Sequence, residues 1–297
     1  MQRASRSIVT YEHCVGNTPQ ITVKPGEIFQ METQLCTGDW LTGLGDVWPA
    51  ERAPGPNPTV VAAVEGAMPG DSLQVSILDI APENIGYTGF INKEHGLANK
   101  IIDRDWGNNI RVVEIKDGFV HFSPSKRIPV CPMIGTFGLA PVGAPVDNSR
   151  AGKHGGNMDA QVVRAGTTVI LPVECPGALL HAGDVHAVQG DGEICGAGGI
   201  ECRALVTLKA EIVGRPVRTG CVRAESETHI YAIACEGDIE NCCVTATREL
   251  LYWMADGYGM DEREAYLLLG QVLELNVPQL VNPTRTIIAS VNKSYLK

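Results

Sequence analysis

The chain has 297 residues, of which 44% are hydrophobic and 20% are charged, a balance typical of a soluble globular protein. The formal net charge of −10 argues against binding to nucleic acid or to an anionic membrane surface. The N-terminus has no signal-peptide pattern, and no apolar stretch is long enough to span a bilayer, so we expect a cytoplasmic protein. The ten cysteines include no Cys-x-x-Cys pair, which argues against a thiolate zinc knuckle and predicts reduced, mostly buried thiols.

Short strands separated by turns dominate the first half of the chain. Val60–Val64 predicts one strand, and the alternation of apolar residues over Leu73–Asp79 predicts a half-buried second strand. Val112–Ile115 and Phe119–Phe122 flank Asp117-Gly118, which indicates a hairpin with a tight turn. The 33 glycines and 18 prolines of the chain also favour many short strands.

The same pattern continues downstream. Val162–Arg164 and Thr167–Leu171, joined by Ala165-Gly166, predict a further hairpin, and Leu205–Ile212 predicts a strand. Thr286–Val291 predicts a final strand, and the proline-rich segment 54–58 predicts a loop.

Two helices are predicted before that final strand. The first runs from Thr247 to about Tyr258, and the second opens at Asp261, with Glu264 at capping-box spacing. Pro278 and Pro283 are expected to stop it. The sequence therefore predicts a mainly β, sandwich-like fold of many short strands, in one domain over residues 1–297, with a helical part at about 245–280.

The segment 183–196, with the sequence GDVHAVQGDGEICG, contains most of the candidate chemistry. Its five site-capable side chains are Asp184, His186, Asp191, Glu193 and Cys195. Alternation in a strand places Asp184 and His186 on one face. If a turn closes at Gly190-Asp191, His186 lies opposite Cys195 and Glu193 joins the same face. Such a hairpin would form a metal site or an acid–base site.

Several further segments carry a resemblance to a known family. HGGNMD at 154–159 precedes the 183–196 segment, GTFGLAP lies at 135–141, and ITVKPGE lies at 21–27. In order and spacing, residues from about 20 to 290 resemble the acetamidase/formamidase family of amide hydrolases. That resemblance implies a predominantly β fold, a small-molecule amide substrate such as formamide or acetamide, and a homodimer.

The chemistry of amide hydrolysis suggests roles for these residues. A divalent metal ion can activate water and polarise a carbonyl, and a catalytic zinc site uses about three protein ligands. We expect the metal ligands to be Asp159, Asp184, His186 and Glu193. Zinc is favoured by the imidazole, while calcium fits the carboxylates as a structural or second ion.

The remaining candidates are assigned to catalysis or to substrate binding. We assign Glu32 and Asp191 as catalytic, and the alternative role for Asp191 is to cap backbone amides within its turn. His154, Asn157 and Gln189 are expected to bind substrate. After Glu32 the chain departs from the Thr-Leu-Asp-Ala continuation of the family pattern, which argues against a role for Asp39.

Other functions stay open at this point. Cys195 paired with His186 would give a thiol nucleophile, and the metal hypothesis competes with it. No serine-rich segment suggests the Ser-Ser-Lys arrangement of other amidases. A hydrolase of another small amide or of a lactam would carry the same site residues. A non-catalytic β module that binds calcium through its acidic loops is the third alternative.

Overall fold

The structure is a computed structural model that describes residues 1–48, 56–90, 97–196, 198–215 and 218–297. The strands are β1 (Arg3–Ala4), β2 (Glu12–His13), β3 (Ile21–Val23), β4 (Ile28–Thr33), β5 (Thr59–Val64), β6 (Asp71–Phe90), β7 (Asn109–Lys116), β8 (Phe119–Ser123), β9 (Lys126–Pro129), β10 (Met133–Leu139), β11 (Val146–Asp147), β12 (Ala151–Gly152), β13 (Gly155–Asn157), β14 (Thr168–Pro172), β15 (Leu180–His186), β16 (Glu201–Gly214), β17 (Val222–Glu225), β18 (His229–Glu236), β19 (Glu274–Gln279) and β20 (Arg285–Asn292). The helices are α1 (Ala98–Ile101), α2 (Ile239–Tyr258) and α3 (Glu262–Val272), with 3₁₀ turns at Asp191–Glu193 and Lys293–Tyr295.

The prediction of a mainly β fold with two C-terminal helices is confirmed. Eighteen of the described strands form one curled sheet, mostly antiparallel, and β2 pairs separately with β11. The sheet curls because its long strands change partners along their length. β6, for example, pairs with β14, β16 and β7 in turn. The inward-facing apolar side chains of the whole sheet form the principal core.

Three neighbouring strands position the candidate site. β15 is buried along its whole length and lies between β10 on one side and β16 and β5 on the other. At its end, His186 is paired with Met133 and with Glu201. Glu201 is in turn paired with Tyr87. Since directly opposed residues project from the same face of a sheet, the side chains of this row point to one side.

The C-terminal helices pack on strands β18 and β20 around a second apolar cluster. α2 begins at Ile239, earlier than predicted, because Asp238 caps it by accepting a hydrogen bond from the backbone N–H of Asn241. The predicted start of α3 is confirmed, since Asp261 accepts from the N–H groups of Arg263 and Glu264.

The predicted end of this second helix is wrong. Helix α3 already ends at Val272, where Leu273 adopts an extended backbone, and the chain continues directly into β19. Pro278 therefore lies within a strand rather than at a helix end. β19 pairs with β20, and this tertiary pairing overrides the local pattern of residues 274–279.

Of the two other predicted hairpins, one forms in the structure and one does not. The hairpin at Asp117-Gly118 is confirmed, with φ values of 53° and 78° at these two turn residues. Val162–Arg164 forms turns rather than a strand, so the hairpin predicted there is wrong, and only its second half forms, as β14. The predicted loop at 54–58 lies partly outside the described residues.

Among the described helices, none has the length and apolar character needed to cross a membrane.

Candidate functional site

The end of β15 brings an imidazole between two buried carboxylates. The Nε2 atom of His186 lies 3.1 Å from Oε1 of Glu201 and 3.4 Å from Oδ1 of Asp184. All three side chains are almost completely buried. Nε2 nevertheless has no hydrogen-bond partner, because neither close contact has hydrogen-bond geometry. This arrangement is typical of donors that surround a cation.

Two further carboxylates complete the cluster. A ligand atom of His186 and carboxylate oxygens of Asp159 and Glu193 all lie within 4.8 Å of one another. Asp159 also accepts a hydrogen bond from Nδ2 of Asn282 at 2.5 Å, which fixes one of its oxygens. The cluster therefore joins residues from β15, β16, the segment after β13 and the 3₁₀ turn at 191–193.

The backbone is strained at three of these carboxylates. φ is 49° at Asp159, 58° at Asp184 and 47° at Glu193, values that residues with a Cβ rarely adopt. Such conformations cost about 1–3 kcal/mol each and persist only where the surrounding structure enforces them. Strain concentrated on a cluster of acidic side chains indicates a functional site.

Gly135 on β10 leaves space for the carboxylates of Asp159 and Asp184. A Cβ at this position would lie 2.5 Å from Oδ1 of Asp159 and 2.7 Å from Oδ2 of Asp184. Any larger residue would displace the carboxylates. The absence of a side chain at Gly135 therefore allows two acidic groups to converge on one face of β10.

Burial and mutual repulsion shift the ionisation of the cluster. Burial and the charge of Asp184 raise the pKa of Asp159 to about 6, and burial raises the pKa of Glu201 to about 7. Burial and Asp159 also raise the pKa of Glu193 well above its usual value. Burial alone would lower the pKa of His186, but Glu201 and Asp184 raise it well above its usual value.

The donor set fits a metal ion. Five buried side-chain atoms of the cluster have no hydrogen-bond partner: Oδ1 of Asp159, Oδ1 of Asp184, Nε2 of His186, Oε2 of Glu193 and Oε2 of Glu201. Leaving ionised groups buried and unpaired is costly, so such groups normally bind a metal or are paired. One imidazole and several carboxylates are ligands that zinc accepts.

Gln189 orients the imidazole. Its Oε1 accepts a hydrogen bond from Nδ1 of His186 at 2.7 Å, and its Nε2 donates to the carbonyls of Asp159 and Pro278. A donating Nδ1 leaves Nε2 of the neutral ring free to act as a ligand. Both polar atoms of the Gln189 side-chain amide are thus engaged within the protein. These contacts hold the imidazole of His186 in place, and the predicted contact of Gln189 with substrate stays a prediction.

Asn157 is connected to the cluster through one hydroxyl. Oγ1 of Thr136 lies 2.8 Å from Oδ1 of Asn157 and 3.2 Å from Oδ2 of Asp184. Nδ2 of Asn57 approaches the same hydroxyl at 3.3 Å. These buried polar groups hold Asp184 in place from the side opposite His186.

The predicted hairpin at Gly190-Asp191 is wrong. β15 ends at His186 and pairs with β16, which begins at Glu201, so Glu201 rather than Cys195 faces the imidazole. The intervening segment includes a 3₁₀ turn over Asp191–Glu193. This turn brings Glu193 to the cluster without any strand pairing.

Two predicted catalytic residues lie away from the cluster. Glu32 is partly exposed and forms an ion pair with Arg3 at 3.3 Å. Asp191 is exposed and accepts a hydrogen bond from Gln161 at 3.0 Å. Neither carboxylate belongs to the groups of converging ligand atoms found among the described residues.

His154 belongs to a separate cluster of histidines. Its ring centroid lies 5.2 Å from that of His13, which stacks on His181 at 4.2 Å. Burial lowers the pKa of His154 to about 4, and burial and His154 lower the pKa of His181 to about 3. These rings are therefore neutral at physiological pH, and His154 is not brought to the acidic cluster.

The thiol beside the cluster is Cys36 and not Cys195. Its Sγ lies within 4.8 Å of carboxylate oxygens of Asp184 and Glu201. Burial and the charges of these two residues raise its pKa well above the usual value, so the thiol is protonated. Cys195 instead lines a small surface cavity of about 200 Å³ with Phe90 and Phe122.

Sequence reasoning missed Glu201 and Cys36. Glu201 opens β16, whereas the strand predicted from the sequence begins only at Leu205, so no local pattern marks this residue. Cys36 follows Glu32 in the segment that departs from the family pattern, and nothing in its neighbours indicates a site. Glu201 reaches the cluster through the pairing of β15 with β16, and Cys36 lies in the turn that follows β4, which also pairs with β16.

Comparisons with known proteins show which family this chain resembles. Residues 147–282 match the model of the acetamidase/formamidase family. The crystal structure of an acetamidase from Bacillus halodurans is 32% identical, with a TM-score of 0.91, and the alignment covers 99% of this chain and 98% of that one.

Two curated relatives match over shorter segments. The chain is 28% identical to the acetamidase of Mycolicibacterium smegmatis over 65% of this chain and 63% of that protein. It is 28% identical to the formamidase of Methylophilus methylotrophus over 64% of this chain and 60% of that protein. The aligned part spans 50% to 63% of the length of the curated relatives that the chain matches. On the full-length similarity to the Bacillus halodurans structure, together with the family match across the acidic cluster, this chain belongs to the acetamidase/formamidase family.

Proposed function

We propose that this protein hydrolyses the C–N bond of short aliphatic amides such as formamide and acetamide, releasing ammonia and the carboxylic acid. The observation that carries the proposal is the buried cluster of four carboxylates around His186, with five unpartnered ligand atoms. Its occurrence in a chain similar over its full length to an acetamidase supports the reaction type.

We assign Asp159, His186 and Glu193 as the ligands of a divalent metal ion, and we include Asp184 as a fourth candidate. Zinc is favoured over calcium because the set contains an imidazole nitrogen and lies near a thiol. When bound, such an ion supplies an acidified water molecule and polarises the amide carbonyl.

The residues of the chain supply the proton transfers. In this proposal, the Glu201 carboxylate accepts a proton as water attacks the carbonyl carbon. It then returns that proton to the nitrogen as the C–N bond breaks, so that ammonia leaves and the acid remains. Its position 3.1 Å from His186 places it at the centre of the cluster. Gln189 and Thr136 keep His186 and Asp184 oriented during these steps.

Two alternatives would share much of this site. A hydrolase of another small amide or of a lactam requires the same cluster and differs only in the walls around it. A non-catalytic calcium-binding module is disfavoured because calcium takes oxygen ligands, whereas the central donor here is His186.

We also propose that the protein works in the cytoplasm as a homodimer, with no nucleic-acid or membrane partner. The net charge of −10 argues against polyanionic partners. Val244, Tyr266 and Leu267 on α2 and α3 are 47%, 66% and 70% exposed, and these apolar side chains suit a contact between two copies. Light scattering of the purified protein tests the stoichiometry.

Metal content and ammonia release test the main proposal together. We expect near-stoichiometric zinc in the purified protein, ammonia release from formamide or acetamide, and loss of that activity after chelation. His186→Ala and Glu193→Ala should each lower metal occupancy and hydrolysis rate steeply. The double variant should lose little more activity than the less active of the two single variants, because both residues bind the same ion. Full activity in a verified metal-free preparation would overturn the metal role. If the activity losses of the two single variants add up in the double variant while the metal content stays full, His186 and Glu193 do not bind a shared ion.

A further inference from the structure

We infer that the aromatic wall formed by Trp40, Trp48 and Tyr87 binds the acyl group of the amide and that Trp40 limits its size. This inference rests on the proposed amide hydrolysis and adds the residues that select the substrate. The wall has no role in the proton transfers described above.

Strand pairing places the wall beside the acidic cluster. Tyr87 on β6 lies directly opposite Glu201, which lies directly opposite His186. Since opposed residues share a face, the Tyr87 side chain projects to the same side of the sheet as the imidazole. Tyr87 is fully buried at this position, beside the acidic cluster and packed against the two tryptophans.

A short chain of polar contacts connects Tyr87 and Trp40 to the cluster. The hydroxyl of Tyr87 lies 3.1 Å from Sγ of Cys36, the thiol that adjoins Asp184 and Glu201. It also lies 2.8 Å from Oγ1 of Thr37, which accepts a hydrogen bond from Nε1 of Trp40 at 3.0 Å. The polar atoms of these two aromatic side chains are thereby satisfied by the protein, and the ring surfaces are apolar.

The three rings form one continuous surface. The ring centroids are 5.1 Å apart for Trp40 and Tyr87, 5.5 Å for Trp48 and Tyr87, and 5.7 Å for the two tryptophans. The mutual inclinations of 60–71° are those of favourable edge-to-face packing. Tyr87 is fully buried, while both tryptophans are only half-buried. The wall therefore extends from the acidic cluster towards solvent.

A buried guanidinium fixes Trp40. Arg203, only 7% exposed, donates hydrogen bonds to the carboxylate of Asp39 and to the carbonyl of Leu41, the two residues that flank Trp40. Arg203 also pairs with Glu83, so its charge is compensated. Holding both neighbours of one tryptophan prevents its ring from moving aside for a bulky ligand.

The chemistry of the wall defines the substrate class. An apolar surface favours each additional methylene of an acyl group by about fourfold until the space is filled. The carboxylates behind the wall repel an anionic acyl group. We therefore expect a neutral amide with a short apolar acyl group, so that acetamide is a better substrate than formamide and bulky amides are excluded.

Substrate profiles of Trp40 variants test this inference. We expect Trp40→Ala to raise the ratio of kcat/KM for butyramide and benzamide relative to acetamide by about tenfold or more, while formamide changes by less than about threefold. Trp40→Phe should give an intermediate profile and covers the case in which the alanine variant does not fold. Trp106→Ala is the matched control, because Trp106 is 54% exposed and packs near Phe90 instead.

The outcomes separate this inference from the proposed function. A wild-type protein that releases ammonia and shows the expected change in ratio supports both. A hydrolytically active wild type whose profile is the same in Trp40→Ala, Trp40→Phe and Trp106→Ala overturns the role of the wall alone. A zinc-loaded wild type that hydrolyses none of these amides overturns the proposed function, and the inference with it.

Discussion

Nε2 of His186 lies 3.1 Å from Oε1 of Glu201, and the two residues stand directly opposite each other on neighbouring strands. Both side chains are buried, and the imidazole is held from its other side by Gln189. The strand pairing thus creates a contact between two groups that are 15 positions apart in the sequence. In the proposed mechanism, this carboxylate takes a proton from water beside His186.

Glu201→Gln tests the role of that carboxylate. The amide has nearly the same shape but cannot accept a proton, so we expect kcat to fall by about 10²- to 10⁴-fold. Metal analysis shows whether the ion is still bound. Glu32→Gln is the control, because its exposed ion pair with Arg3 lies outside the cluster, and the change should cost less than about twofold. A Glu201→Gln enzyme with full activity would exclude Glu201 as the proton acceptor.

Gln189→Met tests the orientation of His186. Loss of the 2.7 Å hydrogen bond to Nδ1 frees the ring to rotate, so we expect zinc affinity to fall by about 10- to 100-fold. Competition with a chromophoric chelator measures this affinity. Gln161→Met is a matched control, since Gln161 bonds only the exposed Asp191 among the described contacts. Equal affinities for the two variants would contradict the positioning role.

Gly135→Ala tests the space between the acidic residues. The new methyl group would lie 2.5 Å and 2.7 Å from oxygens of Asp159 and Asp184, so the carboxylates must move apart. We expect lower metal occupancy and at least about a tenfold loss of activity in a protein that still folds. Gly214→Ala serves as the control because a Cβ there meets no atom within 4 Å. The prediction fails if both variants bind metal as the wild type does.

Cys195→Ser tests the alternative thiol mechanism. Burial raises the pKa of Cys195, which disfavours the thiolate, and the residue is not the strand partner of His186. We therefore expect most of the activity to remain, and Cys195→Ala to be similarly mild. The test compares steady-state rates of the wild type and the two Cys195 variants at the same metal content. A loss of about 10³-fold with metal bound would instead indicate a nucleophile.

The buried histidines predict acid sensitivity of the fold. Burial and His154 lower the pKa of His181 to about 3, against about 6.5 in the unfolded chain. Because the unfolded state then binds more protons, the stability contributed by the neutral ring is present above pH 6.5 and is lost as pH falls towards 3. Thermal unfolding between pH 5 and pH 8 measures the loss, on the order of 2 kcal/mol at pH 5.

His181→Gln isolates this effect from the titration of other groups. Glutamine keeps a polar group near Thr59, which lies 3.0 Å from Nδ1 of His181, but it does not titrate. We expect the drop in Tm between pH 7 and pH 5 to be smaller in the variant than in the wild type. Parallel pH profiles for the two proteins would show that His181 is protonated equally in the folded and unfolded states.

Local sequence patterns were sufficient to predict the fold class and much of the donor chemistry. Alternating apolar residues and glycine turns are local properties, so they identified the hairpin at Asp117-Gly118 and the β-rich core. The HGGNMD segment and the 183–196 segment named Asp159, Asp184, His186 and Glu193, which the structure brings together. Alternation along one strand also correctly put Asp184 and His186 on one face.

The residues that face the imidazole depend on long-range strand pairing and could not be predicted from local patterns. The strand partner of His186 is Glu201 because β15 pairs with β16 across a 14-residue connection, and no local pattern sets that register. The pairing of β6 with β16 brings Tyr87 to the cluster, and Cys36 reaches it from the turn after β4. Glu32 and Asp191 stay outside the cluster. Sequence periodicity reports the face of a strand, whereas strand partners depend on how the whole sheet curls.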